Sequence, residues 1–104
     1  MRPKQWEVWY VEAHFEEDTS KSKTRPGIVI VAKSDFAICL KITTQGPREN
    51  DYTLEYWKEA GLAEKSYVLL DKKVKVPAHG IYRKVGIIHP EDRLKIEYRL
   101  AALL

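Results

Sequence analysis

Two residues of the types that handle phosphate stand at matched distances from one tight turn. Arg25 and Thr43 lie nine positions either side of residue 34, where Lys33-Ser34-Asp35 separates two apolar runs. Antiparallel strands joined by a short turn bring the start of the first beside the end of the second. The count therefore predicts Arg25 and Thr43 as near cross-strand neighbours. A guanidinium offers two parallel donors to a phosphate, and a hydroxyl both donates and accepts, so it can orient a reacting group or relay its proton. The same two positions also suit a plain structural role, in which Arg25 caps a sheet and Thr43 is an ordinary strand residue. On spacing alone both readings stand.

Other routes to chemistry are sparsely provided. The chain has no glycine-rich phosphate loop and no His-Glu-x-x-His pattern. Its one cysteine, Cys39, cannot form an internal disulfide and belongs to no metal-ligand cluster, so neither a metal nor a cofactor is expected. His14, His79 and His89 are far apart in sequence; a convergent acid–base pair is conceivable, but surface or turn positions are the better expectation. Glu16, Glu17 and Asp18 read as solvated charge rather than a metal site. Tyr56 and Trp57 have the rings to stack bases, yet plugging a sheet edge is the favoured role.

The elements that must position these residues are mostly strands. Residues 6–14 alternate, with Trp9, Val11, Ala13 and Phe15 on an apolar face and Glu7, Glu12 and His14 expected in water. A polar loop is predicted over 16–24. The β-branched run after Arg25-Pro26-Gly27 reads as a strand buried on both sides, with proline tolerated at its mouth. Residues 36–43 form the return strand, where Cys39, Lys41 and Thr43 share a face that lysine marks as partly wet. A short strand over 52–54, one helical turn over 56–60 stopped by Gly61, and strands over 67–76 and 81–88 follow. Pro90-Glu91-Asp92 opens a helix, with proline in the first turn and two acids at the positive end of its dipole. Leu94, Tyr98 and Ala101 are expected along one side of that helix, with Ile96, Leu100 and Leu103 adjacent. The expected fold is mainly β: a small twisted β-barrel or strongly bent sheet with a short connecting helix and a C-terminal α-helix.

Length and composition bound the rest. At 104 residues and 44% hydrophobic the chain suits one domain spanning residues 1–104, which would bury roughly 65% of its extended surface without metal or disulfide support. No apolar run is long enough to cross a bilayer, and the first residues lack a signal peptide's apolar stretch. A cytoplasmic protein without a membrane partner is expected. The net charge of +3 permits nucleic-acid binding without requiring it. Lys21, Lys23 and Arg25 form one basic stretch and Lys72, Lys73 and Lys75 another.

In order along the chain, several stretches resemble the PemK/MazF toxins of bacterial toxin–antitoxin pairs. They are Ser20-x-Ser22-Lys23-x-Arg25-Pro26-Gly27-Ile28-Val29, then Lys41-Ile42-Thr43-Thr44-Gln45-Gly46-Pro47-Arg48, then Tyr56-Trp57-Lys58-Glu59-Ala60-Gly61-Leu62, Ser66-Tyr67-Val68-Leu69-Leu70 and Arg83-Lys84-Val85-Gly86. The resemblance implies a small SH3-like or CcdB-like β-barrel and a homodimeric endoribonuclease that cuts single-stranded RNA, messenger RNA above all, at short sequences without a metal. It implies Arg25 and Thr43 as the catalytic pair, with Lys21, Lys23, Thr44, Gln45 and Arg48 on the RNA. Attack by the RNA's own 2′-hydroxyl and inhibition by an acidic antitoxin protein are further implications. One departure stands out: the family usually opens its first strand with glycine and a small acid, where this chain has Trp6-Glu7. The alternatives are a non-catalytic toxin acting by protein contact, like the CcdB gyrase poisons, and a barrel that binds RNA without cutting it. The absence of tryptophan from the last helix counts against the gyrase version.

Overall fold

The computed structural model describes residues 2–15 and 18–103, with side chains described for 2–12 and 24–103. Six strands make one antiparallel sheet: β1 (Glu7–Phe15), β2 (Asp18–Ala32), β3 (Phe36–Thr43), β4 (Asp51–Thr53), β5 (Tyr67–Pro77) and β6 (Ile81–Ile87). Their spatial order is β4-β5-β3-β2-β1-β6. Of the barrel and the bent sheet expected from the strand pattern, the open sheet is the one found, and the closed barrel that the resemblance implied is not: β4 and β6 are the two edges of the sheet and do not pair. A 3₁₀ turn, Ala78–Gly80, joins β5 to β6, and helix α1 (Pro90–Ala102) closes the fold.

Residue alternation sends side chains to two separate cores. One contains Val8, Ile28, Leu40, Ile42, Val68 and Leu70 and is closed by Ile96 of α1; the other gathers Trp9, Val11, Val29, Ala37, Cys39 and Val76. Burial pushes the Cys39 thiol up to about 12, so it stays protonated and acts as a small apolar side chain.

Three local expectations are corrected. The polar stretch predicted as a loop carries strand backbone from Asp18 onward, paired with β1 as far as Phe15↔Asp18, because a long hairpin gives even polar residues a ladder partner. Residues 56–60 form turns rather than a helix. Gly61 nonetheless provides the left-handed stop at φ 88, and Leu62 N–H donates to the Trp57 carbonyl over 3.0 Å, closing the turn as a helix end would. This turn lies hard against β6: a Cβ at Gly86 would sit 2.2 Å from the Ala60 carbonyl oxygen. Glu7, expected in water, is buried, as its odd position on β1 with Trp9 and Val11 requires. Helix α1 buries Asp92 and Ile96 and leaves Leu94 (67% exposed) and Tyr98 (79%) outside. Of the two adjacent apolar rows expected on it, the one with Ile96 and Leu100 packs on the larger core, and the polar Asp92 occupies part of the buried stripe.

That buried aspartate ties the fold together. Asp92 Oδ1 accepts from the Tyr52 hydroxyl and from the Glu55 amide at 3.1 Å, and Oδ2 accepts from the Tyr56 amide at 2.9 Å. Burial and the adjacent Asp92 carboxylate push the Tyr52 phenol well above its usual range, so it remains a donor. His89 caps the helix by accepting from the Glu91 amide at 3.1 Å and stacks on Tyr56 with ring centroids 3.8 Å apart. Tyr56 thus has a structural contact, and Trp57 packs against the larger core.

Trp6 explains the departure at the start of β1. Its φ is 72°, a left-handed conformation that favours glycine. The indole is retained because it is buried in the larger core at 5% exposure, with the Arg93 guanidinium 5.2 Å from its ring. Among the described residues its Nε1 is the one buried side-chain donor without a hydrogen-bond partner.

Candidate active site

The relative placement of Arg25 and Thr43 is decided by a single extra residue in β2. The turn is closed by the Lys33 amide donating to the Phe36 carbonyl at 2.9 Å, and the first pairs are Ala32↔Ala37 and Val31↔Ile38. Continued unchanged, that register would set Arg25 opposite Thr44. Between Val29 and Val31 the register shifts, so Ile30 is a bulge, and the pairs become Val29↔Cys39, Ile28↔Leu40 and Gly27↔Lys41. The carbonyl of the bulged Ile30 accepts from the Gln5 side-chain amide at 3.0 Å. Gly27↔Lys41 is the last pair of this ladder; extended two residues beyond it, the shifted register would set Arg25 opposite Thr43. Across the other edge of β2, Arg25 pairs with Val11.

Arg25, Gly27 and Val29 share a face of β2 with Lys41 and Thr43 of β3 and with Trp9 and Val11 of β1. This is the face of the smaller core, and Arg25 and Thr43 lie at its open end. Arg25 is exposed, while Lys41 and Thr43 are half-buried. The Thr43 hydroxyl oxygen accepts from the Gln45 amide at 3.1 Å. That bond uses one lone pair and leaves the O–H and a second lone pair for another group.

The loop after Thr43 is fastened rather than loose. Asp51 Oδ2 accepts from the Arg48 amide at 2.8 Å and lies 3.6 Å from Arg48 Nε, while the Gly46-Pro47 bond is cis. Thr44, Gln45 and Arg48 are all exposed on this loop. The other two residues expected on RNA, Lys21 and Lys23, have backbone in β2, but their side chains lie outside the described residues, as do Glu16 and Glu17 entirely.

Deeper on the same face is a network that the sequence reading missed. Glu7 accepts from the Trp9 indole N–H at 2.9 Å and the Lys4 amide at 2.8 Å, and its other oxygen lies 2.9 Å from Lys84 Nζ. Burial alone would raise the Glu7 carboxyl, but these three donors outweigh it and hold it below the usual range. The network fixes Trp9, whose cross-strand partner is Gly27, one row behind Arg25. The i, i+2 relation of Glu7 to Trp9 was the available signal. Among the described residues no cluster of His, Cys, Asp and Glu could hold a metal ion, and no helix is long and apolar enough to cross a membrane.

The family described as "PemK-like, MazF-like toxin of type II toxin-antitoxin system" matches residues 4–104. The chain belongs to that family. Solved structures of PemK/MazF-type proteins share the fold at low sequence identity. An endoribonuclease from a mycobacterial species, solved with its cognate antitoxin, is 14% identical with a TM-score of 0.73, over 96% of this chain and 92% of that one. MazF from Deinococcus radiodurans is 12% identical with a TM-score of 0.76, over 99% and 96%. A Mycobacterium tuberculosis MazF toxin is 14% identical with a TM-score of 0.71, over 92% and 93%. A search of curated protein sequences finds no match.

Proposed function

We propose that this chain is the toxin of a toxin–antitoxin pair and cleaves single-stranded RNA by using the RNA's own 2′-hydroxyl. The observation that supports the proposal is the β2–β3 register after the Ile30 bulge, in which Gly27↔Lys41 is the last pair and whose extension leaves Arg25 and Thr43 on one face. In the proposed step the 2′-oxygen bonds to phosphorus and the bond from phosphorus to the 5′-oxygen breaks. The products are a 2′,3′-cyclic phosphate and a 5′-hydroxyl. Arg25 neutralises the charge that builds on the phosphoryl oxygens, and Thr43, held by the Gln45 amide, orients the 2′-hydroxyl or relays its proton. Thr44, Gln45 and Arg48 then border the path of the strand, and Lys21 and Lys23 supply phosphate contacts.

Two partners complete the reading. The exposed apolar side of α1, Leu94 and Tyr98, suits contact with a second copy of this chain. An acidic antitoxin segment would compete for the cationic end of the sheet face, in keeping with a relative whose structure contains its antitoxin. A cytoplasmic location belongs to the same proposal.

The test is cleavage of a long mixed-sequence RNA in excess EDTA by the wild type, Arg25→Ala and Thr43→Ala. Discrete cuts with 5′-hydroxyl ends, lost in both variants, are expected. Folded wild-type protein that makes no cuts would return Arg25 and Thr43 to structural roles. Light scattering of the wild type and Tyr98→Arg checks the dimer.

A further inference from the structure

A recess on the opposite face of the β1–β2 hairpin has no part in the chemistry above. Tyr10, Thr24, Tyr82 and Arg83 line an open hollow of about 530 Å³, within the size range of small-molecule sites. It exists because the β1–β6 ladder slips: Tyr10 pairs with Arg83 but Val11 pairs with Ile81. Tyr82 is therefore the extra residue of a bulge, and its 44% exposure is a consequence. The Arg83 guanidinium lies 4.9 Å from the Tyr10 ring centroid, and the Tyr82 hydroxyl donates to Glu12 Oε1 at 3.1 Å. Glu12 is in turn the cross-strand partner of Thr24.

We infer that this recess binds one nucleobase of the RNA strand flanking the cleaved phosphate, and that Glu12 selects its identity. The inference rests on the proposed RNA-cleaving function. Phenol rings and a guanidinium plane are the surfaces on which unstacked bases pack, and an arginine beside them complements the adjoining phosphate. A carboxylate accepts only, so Glu12 favours bases that present amino or imino N–H groups. Tyr82 occupies one of its several lone-pair sites, leaving others for a base. The hydrogen bond to Glu12 holds the Tyr82 phenol above its usual range, so the donor persists at neutral pH.

The recess is within reach of the reacting phosphate. Thr24 and Arg25 are consecutive in β2 and point to opposite faces. The β2–β3 ladder ends at Gly27, and residues 24–26 of β2 pair with β1. A strand crossing β2 there passes from Arg25 directly to Thr24.

The test uses short 2′-O-methyl RNA of mixed sequence, which cannot undergo the cleavage step, so binding is read apart from activity. Tyr82→Ala is expected to weaken binding by about tenfold. Glu12→Gln, which replaces an acceptor-only group with one that also donates, is expected to change the base preference at one position of the bound pool by about tenfold. If wild type and both variants bind with equal affinity and equal preference, or if the wild type binds none of the pool, the inference is overturned. Cleavage of unmodified RNA by the same preparations is the separate readout: wild-type protein without cuts overturns the proposed reaction, whereas cuts at an unchanged sequence in Glu12→Gln overturn the recess alone.

Discussion

The two faces of the sheet are finished in different ways. On one, α1 covers twelve clustered buried residues from Trp6 to Ile96, and Asp92 satisfies three donors where the helix meets the β4 segment. On the other, six buried residues form a smaller core, and that face ends in Arg25, Lys41 and Thr43, which are exposed or half-buried. The covered face supplies rigidity, and the open face displays polar groups that a packed interior could not accommodate unpaired. Beneath that end of the face lie the buried side chains of Val11, Val29 and Cys39.

If the division is right, substitutions on the open face change chemistry and those on the covered face change stability. The largest effect is expected from Arg25→Ala and Thr43→Ala, each lowering RNA cleavage by about 10²–10³ while leaving thermal melting nearly unchanged. A variant of either kind that fails to fold would break the comparison. Asp92→Ala, at 1% exposure, strands a phenol and two amides and should cost about 3 kcal/mol of stability in denaturant titrations, with activity per folded molecule retained.

Trp6→Gly sets two opposed terms against each other on the covered face. Losing the buried indole costs about 3 kcal/mol or more, and relieving the left-handed backbone returns roughly 1 kcal/mol. A net loss in chemical denaturation is expected, and a net gain would mean the indole packs poorly. Glu7 tests how the open face is braced. Its carboxyl is held below the usual value, so its contribution is fully present above the unfolded value near 4.5 and is lost as pH falls through the lower folded one. Glu7→Gln should therefore show a smaller drop in melting temperature between neutral and acid pH than wild type. At the bottom of the scale, Glu55→Gln breaks an ion pair of 2.6 Å to Lys95 in which both side chains are about half exposed; no measurable change in melting temperature is expected.

Several elements were legible without coordinates because their signals are local. The limits of β3, residues 36–43, agree with the observed strand, since apolar alternation and a flanking turn fix both ends. The proline and acids at 90–92 mark the start of α1, and Gly61 marks a left-handed stop. Glu7 was misread because a buried carboxylate looks like a surface residue until its donors are known. Two of its donors, Lys4 and Trp9, are local, but Lys84 is distant in sequence, as are the donors that Asp92 meets from Tyr52, Glu55 and Tyr56.

The candidate pair shows where the boundary falls. Composition, alternation and the turn at Ser34-Asp35 determined that a hairpin would carry Arg25 toward the end of β3. The turn's own register points to Thr44, and only the bulge at Ile30, whose carbonyl is taken up by Gln5, moves the alignment to Thr43. The side-chain period of a strand is two, so one inserted residue exchanges which face each neighbour occupies. Which of two adjacent threonines faces the arginine is therefore decided by a ladder that closes in three dimensions.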